Sequence, residues 1–170
     1  MPPIAITESK MTFGPFKDEN VFYIEKSRIY QENKFFKIAE FFLVTTNSND
    51  VKIIEAKSSS PKPENAESFD SFLSEISEKL SNSLSFWISL KLKRHSNGFD
   101  EMPASFQKVD LSNASFKFIL VIKGHKEEWL PPIKDALAQK LKVFCKIWNL
   151  KPDPVVVLNH EWAIHFQLIQ

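Results

Sequence analysis

Two glutamates and a lysine occupy positions that a strand pattern assigns to one apolar face. Residues 36–44 and 51–57 alternate as β-strands, with the short polar stretch Thr46-Asn47-Ser48-Asn49 between them. On the first strand Phe36, Ile38, Glu40, Phe42 and Val44 share a face; on the second Val51, Ile53, Glu55 and Lys57 do. A hairpin closed by an even-numbered loop sets residue 45 against residue 50, and therefore Glu40 against Glu55. Directly opposed side chains have Cβ atoms about 5 Å apart, and Lys57, two positions on, lies roughly 7 Å from Glu55. Like charges facing each other on an apolar surface are unfavourable until a proton or a cation settles them. A divalent ion held by both carboxylates, with an ammonium group beside it, is one resolution. It is also equipment for cutting a phosphodiester. The ion polarises the phosphate and lowers the pKa of an attacking water, and the lysine acts as a point charge on the developing oxyanion.

The surrounding pattern says what must hold these groups. Residues 1–20, with Pro2, Pro3, Gly14 and Pro15, show no steady period and read as a loosely ordered lead-in to a single domain over 21–170. Residues 21–25 form a plausible first strand, and 28–34 a helical turn or loop. After the hairpin, Pro61 and Pro63 mark a loop. Then Phe69, Phe72, Leu73, Ile76, Leu80, Leu84, Trp87 and Ile88 keep a helical period for over five turns, from an N-cap at Ser68 to about Lys93. Residues 116–123 are nearly all apolar, as a strand covered on both faces would be. Pro131 and Pro132 open a second long helix with the stripe Ile133, Leu137, Leu141, Phe144, Cys145 and Trp148. Residues 155–158 give a last strand and 160–168 a terminal helix. The order β, β, β, α, β, α, β, α implies an α/β domain with a mixed sheet of about five strands flanked by helices.

Bulk composition narrows the classes. A chain of 170 residues can bury about 70% of its unfolded surface as one domain. Sixteen phenylalanines against two tyrosines suggest a dense aromatic core. The net charge of +1 gives no global basic field, so nucleic acid would have to be met by a local patch. The single Cys145 forms no intrachain disulfide and fits a reducing cytoplasm. Neither an export signal nor an apolar run of membrane length is apparent.

Other motifs fail on geometry. His160 and His165 are five apart, about 140° around a helix, and so miss the zinc-helix spacing of four. Gly14, Gly98 and Gly124 form no phosphate loop, and Pro61 breaks the Ser59–Lys62 match to Ser-x-x-Lys. Cys145 and the four tryptophans fall mostly on apolar helical faces and read as core. Lys91, Lys93, Arg94 and His95 cluster at a helix end, where cations suit the dipole; Lys134, Lys140, Lys142, Lys146 and Lys151 dot the other helix as a solvated face. These are the candidate phosphate contacts if nucleic acid binds.

With its hairpin, the long helix that follows and the Glu55-Ala56-Lys57 tripeptide, the chain resembles the PD-(D/E)XK nuclease superfamily over about residues 20–123. The resemblance implies a restriction-endonuclease-like core and Mg²⁺- or Mn²⁺-dependent cleavage of nucleic acid. Glu40 stands for the first acid, Glu55 for the second and Lys57 for the catalytic lysine, with Glu40, Glu55 and the Ala56 carbonyl as metal ligands. Glu25 corresponds to an additional upstream acid. Ala39-Glu40 replaces the family's proline–aspartate pair, and Asp50 is an alternative first acid on the opposite face. The next helix lacks the glutamine–tyrosine pair of some branches; its Glu75 and Glu78 contribute only if they face the cleft. Many such nucleases act in pairs, which implies a homodimer. Two other readings stay open: a catalytically silent nuclease-fold module binding protein or nucleic acid, and an unrelated α/β domain whose triad is a structural ion pair.

Overall fold

The computed structural model describes residues 2–45 and 49–170. In chain order its strands and α-helices are β1 (Ile4–Glu8), β2 (Met11–Phe16), β3 (Val21–Phe22), α1 (Arg28–Gln31), β4 (Phe41–Val44), β5 (Asp50–Lys57), α2 (Ala66–Lys91), α3 (Ala104–Lys108), β6 (Ser115–Ile122), α4 (Leu130–Ile147), β7 (Val155–Asn159) and α5 (His160–His165). The five strands β3 to β7 form one mixed sheet in sequence order; β3, β4 and β5 are antiparallel, β5, β6 and β7 parallel. The expected mixed α/β architecture holds. Successive crossovers of one hand put both long helices on the same face. There α2 and α4 bury Phe42, Ile53, Phe118 and Leu120, and Phe42, Trp87, Phe106 and Phe116 pack ring to ring about the centre.

The opposite face, Phe41, Leu43, Ile54, Ala56, Ile119 and Val121, is covered by α5 and by the β1–β2 hairpin. This corrects the lead-in: residues 4–16 are an ordered hairpin whose Ile6, Met11 and Phe13 are core. Its two-residue turn, Ser9 and Lys10, has positive φ at both positions, the mirror-type turn that matches strand twist. Neither residue is the Asn or Gly that usually announces such a turn. Gly14 takes a φ of 104° at the bulge opposite residues 4–6, where a Cβ would stand 2.8 Å from the Ile4 carbonyl oxygen. The bulge turns its N–H outward to the Leu168 carbonyl at 2.9 Å.

Other boundaries also move. The first expected strand keeps only Val21 and Phe22 before a 3₁₀ turn, Ile24–Lys26, because the Ser27 hydroxyl donates to the Ile24 carbonyl and accepts from Tyr30 N–H, starting α1 early. β4 begins at Phe41 and not at residue 36. α2 starts at Ala66, behind a turn closed by Asn65 N–H on the Lys62 carbonyl, so Ser68 lies inside the helix. Asn159 caps α5 through Trp162 N–H, and left-handed Gln167 ends the helical course short of residue 168. Cys145 is only half-buried on α4 and Trp148 is exposed, because the stripe of α4 turns away from the sheet after Leu141; Trp129, in the 3₁₀ turn before α4, is also exposed. Residues 46–48 of the hairpin loop lie outside the described residues.

Candidate functional site

β4 and β5 pair with Phe41 opposite Ile54, Phe42 opposite Ile53 and Val44 opposite Val51. The even loop requires this register. The ladder ends at Phe41; Glu40 N–H donates to the Ile54 carbonyl at 3.1 Å, one residue off that register, and Glu40 and Glu55 both turn their carboxylates to Lys79 of α2. Before Glu40 the chain leaves the sheet for the helix. Asn82 Nδ2 donates to the Lys37 carbonyl at 3.1 Å, and Ala39 N–H donates to Ser83 Oγ at 2.7 Å while that hydroxyl donates to the Lys79 carbonyl. Two polar side chains on one helical face thus set where Glu40 stands.

Glu55 is fully buried. Its Oε1 lies 2.8 Å from Lys79 Nζ and 3.5 Å from Lys57 Nζ; its Oε2 is buried and has no hydrogen-bond partner among the described residues. Lys79 Nζ also stands 3.9 Å from Glu40 Oε1, and Lys57 Nζ 3.1 Å from Glu75 Oε1. Burial raises the Glu55 pKa, with the charges and hydrogen bonds of Lys79 and Lys57 opposing it. Burial pulls the Lys79 ammonium down, but Glu55, Glu40 and Glu75 together carry its pKa above the ordinary value. The hydrogen bond from Lys57, then its charge, holds Glu75 low.

A second group of acids meets this one at Glu40. One carboxylate oxygen each from Glu8, Glu25 and Glu40 lie within 4.8 Å of one another. Glu8 comes from the end of β1, Glu25 from the 3₁₀ turn after β3, and Glu40 from the threshold of β4. The Tyr23 hydroxyl donates to Glu8, and the Ser9 hydroxyl donates to the Ala56 carbonyl at 2.9 Å, tying the hairpin tip to the strand that carries Glu55. Burial raises the pKa of Glu8, and the charge of Glu25 adds to it. The Glu40 carboxyl, 13% exposed, is pushed to about 8 by burial, then by Glu55 and Glu8, against the pull of Lys79. An all-oxygen donor set of this kind suits a hard cation such as Mg²⁺ or Mn²⁺. The residues fit such an ion on two counts: acids crowded enough to need a counter-charge, and a buried Glu55 oxygen left without a partner.

Of the residues expected from sequence, Glu55 and Lys57 meet with Lys79, and Glu25 and Glu40 meet with Glu8; Glu55, expected as a metal ligand, is not part of that three-acid group. The Ala56 carbonyl is engaged by Ser9 and keeps one lone pair. Glu75 faces Lys57 at the rim, whereas Glu78 is exposed. Asp50, at the far end of β5 on the other face, bonds to Ser115. Two members were missed. Lys79 had a legible signal: it follows Ile76 by three and precedes buried Ser83 by four, a charge inside an otherwise inward row of α2. Glu8 had none beyond alternation, because its turn lacks turn-forming residues.

No family model, curated protein or solved structure matches the chain. Among the described residues, no helix is long and apolar enough to cross a membrane.

Proposed function

We propose that the chain is a Mg²⁺- or Mn²⁺-dependent phosphodiesterase of the PD-(D/E)XK nuclease-like type, acting on nucleic acid. The observation that carries this reading is the meeting of Glu8, Glu25 and Glu40 oxygens within 4.8 Å, with Glu40 linked through Lys79 to the buried Glu55, whose Oε2 has no partner among the described residues. The β4–β5 hairpin followed by the long α2 and then β6 supports it, with the acids at the threshold of β4 and on β5.

Glu8, Glu25 and Glu40 would hold the ion, with Glu55 as its buried neighbour. When bound, it supplies Lewis-acid polarisation of the phosphate and a water of lowered pKa. The chain's own groups do the rest. Glu40 gives up its proton to become a ligand. Lys57 exchanges the solvent-facing Glu75 for a phosphate oxygen, where a compact ammonium neutralises charge. Lys79 opposes the burial that raises the Glu55 pKa, without itself being exposed. A cytoplasmic setting and a pair of copies belong to the same proposal.

The test is Mn²⁺ calorimetry on the wild type, Glu40→Ala and Glu55→Gln, followed by cleavage assays on single- and double-stranded DNA and RNA. Saturable binding weakened at least tenfold in Glu40→Ala, with cleavage abolished in Glu55→Gln, is the expected result. One observation favours a silent binding module instead: Lys79, 2.8 Å from Glu55, already supplies a cation to that carboxylate. Absence of Mn²⁺ binding by the wild type would decide for that second reading.

A further inference from the structure

We infer that the crevice between the β5–α2 and β6–α4 loops is a subsite for one nucleoside monophosphate unit, its base stacked on Trp129 and its phosphate directed to Lys62. The inference takes its ligand class from the nucleic-acid reading above. The crevice encloses about 340 Å³, within the usual range for a small-molecule site. It lies beyond the carboxyl ends of two parallel strands, where α/β sheets commonly place ligands. Lys123 N–H donates to the Lys57 carbonyl at 3.0 Å and Gly124 N–H to that of Ser58 at 3.3 Å, so both loops leave the sheet side by side from the candidate catalytic lysine.

The walls have the chemistry of a base site. Trp87 is wholly buried, whereas Trp129 is left 39% exposed at this crevice. His125 meets Trp129 edge-on with centroids 5.2 Å apart, and its Nε2 lies 3.0 Å from Ser60 Oγ, which fixes the ring. Pro63 and Pro132 add flat apolar surface that needs no ordering on binding. Glu64 and Glu128 also line the crevice and offer acceptors to the exocyclic amino groups of a base; beside them a polyphosphate would be repelled, which favours a single phosphate. Two cations are in reach: Lys62 on the wall and Lys126, whose ammonium sits 5.2 Å from the Trp129 centroid. An aromatic face with flanking lysines is the combination that holds a stacked nucleotide unit.

The experiment titrates 5′-mononucleotides of each base into the full chain in EDTA, read by calorimetry and tryptophan fluorescence. Saturable binding with quenching is expected in the wild type. Trp129→Phe should bind within about threefold of wild type, and Trp129→Ala should weaken binding by about tenfold or more, the loss of one stacked base. No saturable binding by the wild type, or equal binding by Trp129→Ala, overturns the subsite. Mn²⁺ titration of the same proteins separates the two readings. Metal binding without nucleotide binding sinks the subsite alone; nucleotide binding without metal binding keeps the subsite and sinks the metal-dependent reading.

Discussion

Helix α2 anchors two lysine–carboxylate pairs of nearly equal length in different surroundings. Near its start Asp70, 71% exposed, meets Lys140 of α4 at 2.7 Å; nine residues on, Lys79 meets the wholly buried Glu55 of β5 at 2.8 Å. By distance they are the same interaction. In water the first gains little, because solvent screens it and two long side chains must be ordered. The second has lost its water, so each partner depends on the other, and a hydrophobic pair of similar volume would hold the fold at least as well. An exposed pair is incidental to the fold. A buried one that meets Glu40 through Lys79 and Glu75 through Lys57 adds little that an apolar pair would not, and it lies in the proposed site.

The largest expected effect breaks the inner pair. Lys79→Met leaves the buried Glu55 with only Lys57, 3.5 Å away at the rim, and should lower unfolding free energy by about 3 kcal/mol at neutral pH, measured by urea titration. Adding Glu55→Leu should return most of that loss. If the single variant loses under about 1 kcal/mol, the contrast between the two pairs collapses.

A middle effect follows from Glu40. Its carboxyl titrates at about 8 in the folded chain against an ordinary 4.5, so between those values the native state binds more protons than the unfolded state. Stability from this group is therefore fully present below 4.5 and is lost as pH rises to about 8. The expected loss is about 2 kcal/mol once solvent at the open side of the cleft is counted. Glu40→Gln should flatten the profile between pH 5 and 8, and a slope that persists in that variant would point to other groups. The smallest effect is the outer pair: Lys140→Ala should change stability by about 0.5 kcal/mol or less, and less still in high salt.

What could be read without coordinates followed from periodicity. The register of residues 41–44 on 51–54 needs only an even loop and strict alternation; the shift by one residue at Glu40, whose N–H bonds to Ile54, could not be read that way. The five-strand count and the two long helices came from the same rule. The apolar stripe of α2 hides Lys79: a lysine in that row looks like noise unless a buried carboxylate stands opposite. Glu8 was hidden by a turn of Ser9 and Lys10, whose left-handed backbone is imposed by pairing and by the hydrogen bonds of Ser9 to Ala56 and of Lys123 to Lys10, not by local preference. The late start of β4 depends on Asn82 and Ser83, polar helix residues that serve a neighbouring backbone.

The hairpin that carries Glu8 is held at its other end by residues from far along the chain. Gly14 N–H reaches the Leu168 carbonyl, and Phe13 forms an isolated bridge with Ile169. The seam works like the far end of a lever whose near end sets one acid of the cluster. Engineering that displaces residues 168 and 169, including a tag placed against them, would shift Glu8 relative to Glu25 and Glu40 although neither residue touches those acids.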